Sequence, residues 1–344
     1  MSESDKKKIV FKCSQAPGDI VMVTAMLRDL HRAYPSKFLT DVRTRHDELF
    51  YNNPYLTRLD EDKADIVLEL ENSFISLSRG PYHYIHSFIF EVNRALELNI
   101  KPTEFKGDLY LSAHEKSLEA FNEDEREIIS QVKNFAGDVP DYWVICAGGK
   151  SDFTTKIWSL RKWQAVVNHF KGKLNFVQIG RLCDCHPQLE NTLNLVGRTP
   201  SLRGLMKLIY HSQGTCCGVS LPIHLSAALP KADGSNRPCV VVAGGIEPPN
   251  WDAYPSHRFL STAGCLPCCG RGACWSRHVV KPLIPDKYSA DDNYLCRFPV
   301  IKKDSIPQPL CLEIIQPQDV IRSIELYLEF KHRQEISGER ISKI

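Results

Sequence analysis

The sequence contains no long apolar run. None of its segments approaches the roughly 20 consecutive apolar residues that a membrane-spanning helix needs. The chain begins with the charged segment MSESDKKK, and the apolar run that follows, residues 9–11, has only the length of a strand. Neither a signal peptide nor a membrane anchor is therefore expected. We expect a cytoplasmic protein, which leaves peripheral contact with a membrane surface open.

The sequence also has almost no excess of charge of either sign. Its 43 Lys and Arg against 41 Asp and Glu give a formal net charge of +2. A dedicated nucleic-acid-binding protein usually carries a strong basic excess, so no nucleic-acid partner is expected. A local basic cleft that holds phosphate groups remains compatible with this balance.

Two common nucleotide-binding fingerprints are missing. No Gly-x-Gly-x-x-Gly follows the first predicted strand, and the glycine- and lysine-containing loop at residues 148–156 lacks the P-loop spacing. We therefore expect neither a dinucleotide nor a redox cofactor.

Length and pattern together predict an α/β protein with two domains. A chain of 344 residues, 43% hydrophobic and 24% charged, is long enough for two cores. Strand-like and helix-like segments alternate, which indicates sheets built from crossover units. After a predicted linker at residues 134–141, the pattern restarts with a strand at residues 142–147. We predict an N-terminal domain over residues 1–136, a C-terminal domain over residues 137–316 with a cysteine-rich segment over residues 264–311, a helix over residues 317–334 and a disordered tail over residues 335–344.

The first predicted strand is followed by a short loop and a helix that begins near Asp19. Gly18 lets backbone amides face a ligand, and a helix N-terminus favours negative charge. Asp19 has two interpretations. It caps the helix, or it is a general base at the carboxyl end of the strand, where open α/β sheets bind ligands.

A polar loop follows the strand at which the pattern restarts. Its glycines, threonines and lysine suit a diphosphate, because hydroxyls and amides donate hydrogen bonds and a lysine supplies a point charge. The candidate donor-binding residues of this loop are Gly148, Gly149, Thr154, Thr155 and Lys156. The alternative is an ordinary polar loop, since loops favour such residues.

Two later strand ends carry further candidate ligands. Ser220 and Pro222 open a predicted helix. His224 on that helix has two interpretations: it contacts a sugar or phosphate of the ligand, or it is a partly buried core residue. The next buried strand ends in a glycine pair that includes Gly245, which allows a ligand to approach the backbone closely. Glu247, two residues later, suits either ribose hydroxyls or a base of the nucleotide.

Six of the thirteen cysteines lie close together in the C-terminal third of the chain, between residues 265 and 311. In a reducing compartment such a cluster favours a metal site over disulfides. We predict a structural zinc or iron ion held by four cysteines, and the alternative is a set of free cysteines in an irregular segment. The candidate ligands are four among Cys268, Cys269, Cys274, Cys296 and Cys311. Cys13, Cys146 and Cys239 lie in predicted strands and are expected in the core.

These features, in this order, resemble glycosyltransferase family 9, the heptosyltransferases that use ADP-heptose. The N-terminal signature of that family is a strand, a loop with Gly-Asp and a helix that stops at an Ala-Tyr-Pro-like sequence. The matching residues here are Gly18-Asp19 and Ala33-Tyr34-Pro35. The histidine signature reads VSLPIHLSAA over residues 219–228, with Val219 and Leu221 where the family has aspartate and glycine.

The resemblance implies the GT-B architecture, in which two Rossmann-like domains face a central cleft and the C-terminal helix crosses back to the N-terminal domain. It also implies that Asp19 is the catalytic base and that Lys156, with Trp158 after it, binds the donor phosphates. Glu247 stands at the acidic position of the turn after the histidine signature. A subset of relatives that glycosylate proteins is similar in carrying a cysteine-held metal in this region.

The activity implied by the resemblance is inverting transfer of a sugar, heptose from ADP-heptose, to an acceptor hydroxyl, with no metal at the donor. The acceptor is a lipid-linked glycan, a protein or a small glycoside, and the sequence does not distinguish among them. It carries no indication of the oligomeric state. Two alternatives also remain open. An epimerase or hydrolase on the same scaffold turns over a nucleotide sugar without an acceptor, and a binding or assembly protein with a degenerate transferase fold transfers nothing.

Overall fold

The computed structural model describes residues 6–70, 82–117, 123–137, 141–199, 201–272, 274, 277–280, 295–303 and 306–341. The predicted linker is therefore described only in part, because residues 138–140 lie outside these ranges. Residues 281–294 of the cysteine-rich segment and residues 342–344 of the predicted tail also lie outside them.

The N-terminal half contains a three-stranded parallel sheet in the order β2-β1-β3. Its central strand is fully buried at Ile9, Val10 and Phe11, as a strand covered on both faces must be. Helix α1 connects the first two strands, because parallel neighbours need a crossover. The bounds are β1 Lys7–Lys12, α1 Pro17–Ala33, β2 Phe38–Arg43 and β3 Ile66–Glu69.

The C-terminal half contains a six-stranded parallel sheet in the order β6-β5-β4-β7-β8-β9. The predicted restart of the pattern is confirmed, because β4 begins at Tyr142 and lies between β5 and β7. Three of the strands, β4, β7 and β8, are buried along their whole length. The bounds are β4 Tyr142–Cys146, β5 Asn175–Gln178, β6 Leu193–Asn194, β7 Gly214–Gly218, β8 Cys239–Gly244 and β9 His257–Ser261.

The remaining helices follow the predicted alternation of strands and helices. Their bounds are α2 Tyr84–Leu96, α3 Glu123–Ala136, α4 Leu160–His169, α5 Leu202–His211, α6 Leu221–Ala228, α7 Pro249–Asp252, α8 Leu310–Ile314 and α9 Pro317–Ile341. A small antiparallel pair, β10 Pro299–Val300 with β11 Gln308–Pro309, precedes α8. Within the described residues, no helix has the length and apolar content that a bilayer-spanning segment needs.

The apolar core continues from one half of the chain into the other. One cluster joins Ile9 and Met26 of the first half to Tyr142 and Ile223 of the second, and helices α1 and α6 contact each other within it. A second cluster covers the opposite face of the larger sheet around Trp158 and Trp163. Contact between α1 and α6 therefore brings the start of each helix to the same place.

The last helix packs on the larger sheet and is longer than predicted. Helix α9 packs against α4, β8 and β9, and its Val320 and Ile324 are fully buried in the second cluster. These contacts place the apolar stripe of the helix in the core of the larger sheet, and the expected crossing onto the N-terminal half stays a prediction. The helix continues to Ile341, past residue 335, at which a disordered tail was expected to begin.

Candidate active site

Asp19 occupies the first turn of α1 rather than its cap. The N-cap residue is Ala16, which makes no side-chain capping bond, and the helix begins at Pro17. Burial raises the pKa of Asp19 to about 6, with Lys156 lowering it and Glu247 raising it. The carboxyl group therefore changes protonation near neutral pH, as a proton acceptor in a reaction must. The N-cap interpretation is wrong, because Ala16 holds that position; Asp19, the third residue of the helix, accepts a hydrogen bond from the Ala16 backbone amide instead. The base interpretation stays a prediction.

Lys156 and Glu247 form an ion pair at the carboxyl edge of the larger sheet. Lys156 ends a 3-10 turn after β4, and Glu247 follows β8, so that 91 positions of sequence separate them. Lys156 Nζ donates to Glu247 Oε1 at 2.8 Å, and the side chains are 24% and 8% exposed. Burial lowers the pKa of Lys156, but the Glu247 carboxylate outweighs it, and the net shift is upward. Lys156 is therefore a partly accessible cation with a replaceable partner.

His224 joins the two halves of the chain next to Asp19. A Cβ atom added to Gly18 would lie 2.8 Å from His224 Cδ2, so a larger residue at position 18 would displace the imidazole. The Nδ1 atom of His224 is 2.7 Å from the Tyr254 hydroxyl. Burial lowers the pKa of His224 well below its ordinary value, which keeps the ring neutral. His224 thus offers a hydrogen bond but no positive charge.

The N-terminus of α6 has a free capping position. Ser220 is its N-cap residue, but Ser220 Oγ contacts the Gly218 carbonyl at 3.2 Å and caps no amide of the helix. Pro222 is the second helical residue, a position that tolerates the missing N–H. That this helix end contacts the nucleotide-sugar donor stays a prediction.

The structure adds Asp252, Tyr254 and Tyr84 to the residues found from the sequence. Asp252 ends the short helix α7, is 1% exposed and lies within hydrogen-bonding reach of Glu247. The Tyr84 phenol lies among the charges of Glu247, Asp252 and Asp19. The only signal in the sequence was weak: Asp252 is an acidic residue in the first turn of a helix opened by Pro249.

The side chains of Thr154 and Thr155 are buried and bonded to another segment of the chain, which argues against their predicted contact with the nucleotide-sugar donor. They are 1% and 0% exposed. Thr155 Oγ1 donates to the Arg277 carbonyl at 2.8 Å, and Thr154 Oγ1 accepts from the Val280 amide at 3.0 Å. The two hydroxyls therefore attach the cysteine-rich segment to the loop that carries Lys156.

The predicted cradle glycines approach other parts of the protein. A Cβ atom on Gly148 would lie 1.9 Å from the Cys185 carbonyl oxygen, and Gly149 exchanges backbone hydrogen bonds with Cys185 at 3.1 and 2.9 Å. A Cβ atom on Gly245 would lie 3.0 Å from Cys269 Sγ. Gly148 is thus required for packing, while Gly149 and Gly245 lie close to Ile157 and Cys269, so all three approach protein groups in the structure. Their predicted contact with phosphate stays a prediction. Trp158 also serves packing, since it is 1% exposed in the second cluster.

The five candidate metal ligands line one small cavity beside this site. Cys268, Cys269, Cys274, Cys296 and Cys311 surround it together with Thr155, Ile246 and Arg277. The cavity volume is about 10 Å³, the space of about one water-sized sphere. The cavity adjoins the turn after β8 that carries Gly245 and Glu247, because the Cys274 amide donates to the Gly245 carbonyl at 3.0 Å. The predicted core positions are confirmed: Cys13, Cys146 and Cys239 are 2%, 6% and 0% exposed.

The sulfur atoms that line this cavity are suitable ligands for a thiophilic metal ion, but their arrangement is not that of a formed metal site. Sulfur ligands suit zinc and iron. Burial, followed by the charges of the neighbouring thiols, raises the pKa of Cys274 to about 12. Across the described ranges, however, no three His, Cys, Asp or Glu side chains are already arranged to hold a metal ion. In the described part of the chain, the five cysteines thus share a cavity but do not form a ready-made ligand set.

Comparison with known proteins gives matches at the level of structure. Neither protein-family models nor curated protein sequences match the chain. A glycosyltransferase of family 9 from Veillonella parvula has a TM-score of 0.64 at 13% identity, covering 94% of this chain and 97% of that one. The ADP-heptose lipopolysaccharide heptosyltransferase II of E. coli has a TM-score of 0.60 at 17% identity, covering 94% and 99%.

A third similar structure carries a metal. TibC from enterotoxigenic E. coli, described as an iron-containing dodecameric glycosyltransferase, has a TM-score of 0.58 at 16% identity, covering 93% of this chain and 76% of that one. A second TibC structure contains ADP-D-β-D-heptose. Over most of its length, this chain therefore has the fold of the family 9 glycosyltransferases, in agreement with the resemblance seen in its sequence.

Proposed function

We propose that the protein transfers a sugar from an ADP-sugar, ADP-heptose in the first instance, to an acceptor hydroxyl. The observation that carries this proposal is the convergence of Asp19 with the Lys156–Glu247 ion pair. A titratable carboxyl group, an exchangeable cation and a carboxylate acceptor thus meet where both sheets end. We place the acceptor on residues 1–136 and the donor on residues 137–316, in a GT-B arrangement.

The proposed chemistry is an inverting displacement. Asp19, as its carboxylate, takes the proton from the acceptor hydroxyl, and the oxygen attacks the anomeric carbon from the face opposite the nucleotide. The bond from the anomeric carbon to the diphosphate oxygen breaks, and the diphosphate leaves with the electron pair. A pKa of about 6 leaves most of Asp19 ionised at pH 7 while keeping it basic enough to accept a proton.

Lys156 stabilises the leaving group by changing partners. In the structure its ammonium is held by Glu247 Oε1. A bound diphosphate presents more negative charge than one carboxylate, so that Lys156 turns to the phosphates. Glu247 is then released to accept hydrogen bonds from the ribose hydroxyls. The neutral His224 adds a hydrogen bond at the same end of the cleft.

Calorimetric titration of the purified protein with ADP, UDP and GDP in parallel tests the proposed donor. We expect ADP to bind more tightly than UDP and GDP. Preference for another nucleotide would retain a transferase and replace the donor. No binding of any nucleotide would contradict the proposed function and favour a protein of this fold without transfer activity.

We also propose that four of the five cavity cysteines hold a structural zinc or iron ion. The support is their shared cavity and the sulfur donor set. Such an ion would fix the segment that carries Arg277 and His278, whose carbonyls accept from Thr155 Oγ1 at 2.8 and 3.1 Å. The chain would supply thiolates there, and the ion would cross-link the loops behind Lys156 and Glu247.

The cysteine proposal predicts a loss of bound metal on substitution. Elemental analysis of the protein purified under reducing conditions should find about one zinc or iron per chain. The double variant Cys268→Ser, Cys296→Ser should reduce this to near zero, because only three of the five thiols remain and the proposed site needs four. Cys265→Ser is the matched control, since Cys265 is exposed and does not line the cavity. Wild-type protein free of metal, or equal metal loss in the control, would contradict the proposal.

A further inference from the structure

The Glu247 carboxyl group has one oxygen with a hydrogen-bond donor and one without. Oε1 accepts from Lys156 Nζ at 2.8 Å, while Oε2 is buried and meets no donor among the described residues. Asp252 lies within hydrogen-bonding reach of Glu247, and its Oδ1 is likewise buried without a donor in the described part of the chain. Two adjacent buried acceptors without a donor are costly, and one proton between them supplies the donor that both lack.

The charges around Asp252 favour the same proton. The titratable groups that face it are Glu247, Lys156 from the loop after β4, Asp19 of α1, Tyr84 of α2 and Tyr254. Full ionisation would place three carboxylates against one ammonium in a buried site, which is unfavourable. Burial, followed by the charge of Glu247, raises the pKa of Asp252 well above its ordinary value.

We infer that Asp252 is a positioning residue that stays protonated near neutral pH and donates a hydrogen bond to Glu247. This holds the remaining Glu247 oxygen toward Lys156 in the free protein and toward the ribose in the bound state. It also removes one negative charge from the region that the diphosphate enters. The inference rests on the proposed nucleotide site.

Two substitutions separate a protonated Asp252 from an ionised one. Asp252→Asn keeps a permanent donor of nearly the same shape, because the side-chain amide can donate to Glu247. Asp252→Ala removes the donor and leaves the Glu247 oxygen unsatisfied. In ADP titrations at pH 7 we expect Asp252→Asn to bind within about threefold of wild type and Asp252→Ala about tenfold more weakly, in line with the loss of one buried hydrogen-bond partner.

Stability against pH provides a readout without nucleotide. A carboxyl group whose folded pKa is raised binds a proton in the folded state that the unfolded state has lost, so its contribution to stability falls as pH rises above about 4. Asp252→Asn does not titrate. Its melting temperature should therefore rise relative to wild type between pH 5 and pH 8. Asp62→Asn, at an exposed turn, is the matched control and should show no such trend.

The results distinguish this inference from the proposed function. If Asp252→Asn binds ADP as weakly as Asp252→Ala, Asp252 acts as an anion and the inference is overturned. If Asp252→Ala binds like wild type, Asp252 has no positioning role, and the inference is also overturned. If the wild type binds no nucleotide, the proposed function fails, and the pH dependence of melting alone decides whether Asp252 carries the proton.

Discussion

Asp19→Asn is expected to reduce sugar transfer by about a hundredfold to ten-thousandfold, the usual contribution of a positioned general base. ADP binding should persist, because the variant keeps the shape of the side chain and removes a negative charge near the phosphates. Transfer is measured as acceptor-dependent release of ADP from ADP-heptose, with lipid-linked glycan, protein and small glycoside acceptors tested separately. In the wild type, the rate should fall as pH decreases through about 6, where Asp19 becomes protonated.

The stability of this variant should change in the opposite direction from its activity. The pKa of Asp19 is raised from 3.8 to about 6, so the stability contributed by its proton is present at low pH and is lost as pH rises through that interval. Asp19→Asn should therefore melt at a higher temperature than wild type above pH 6. Asp319→Asn is the matched control, because Asp319 is an exposed acid in the first turn of α9. Unchanged transfer by Asp19→Asn would refute the base assignment, and a lowered melting temperature would point to a structural role.

Lys156→Met is expected to weaken ADP binding by about a hundredfold. The side chain supplies the cation for the diphosphate, and truncating one member of a buried charged pair commonly costs 2–5 kcal/mol. Methionine keeps most of the length of lysine without its charge. The substitution also leaves Glu247 buried without its partner at 2.8 Å, which should lower thermal stability and leave an uncompensated negative charge facing the diphosphate. The affinity of wild type for ADP should also fall with salt, while that of the variant should depend on salt less.

A double variant separates the two parts of this effect. Lys156→Met, Glu247→Gln removes both charges, so its thermal stability should recover toward wild type relative to Lys156→Met alone. Its affinity for ADP should stay low, because the cation is still absent. Recovery of ADP affinity in the double variant would show that Lys156 acts only by neutralising Glu247, and the phosphate assignment would then be abandoned.

Much of the fold could be predicted from the sequence, because strands and helices depend mainly on residues that are near each other in the chain. The alternation of apolar strands and amphipathic helices predicted parallel sheets, and the restart at Tyr142 coincides with the first residue of β4. Gly18 and Asp19 were recognisable because the loop after a first parallel strand must end at the ligand-binding edge. The clustering of cysteines in sequence likewise predicted a shared location, and five of them line one cavity.

The local sequence pattern did not predict the contacts of loop residues that can face either a ligand or another part of the protein. Thr154 and Thr155 have the composition of a phosphate loop, yet their hydroxyls bond to the segment behind the loop. Gly148 and Gly245 were expected to admit a ligand, yet their missing side chains make room for Cys185 and Cys269. Composition predicts that a close approach occurs, but the approaching group is decided by the packing of distant segments.

By itself, the sequence determined the order of strands and helices, the burial of the central strands and the residue types available for chemistry, because these depend on apolar periodicity and on neighbours in the chain. Only the tertiary structure decided which of those residues meet. Strand order places Lys156 beside Glu247 across 91 positions of sequence, and a short helix then brings Asp252 to the same carboxylate. The protonation of Asp19 and Asp252 depends on this arrangement, because burial and neighbouring charges shift their pKa values. Neither the burial nor the neighbouring charges can be inferred from the local sequence.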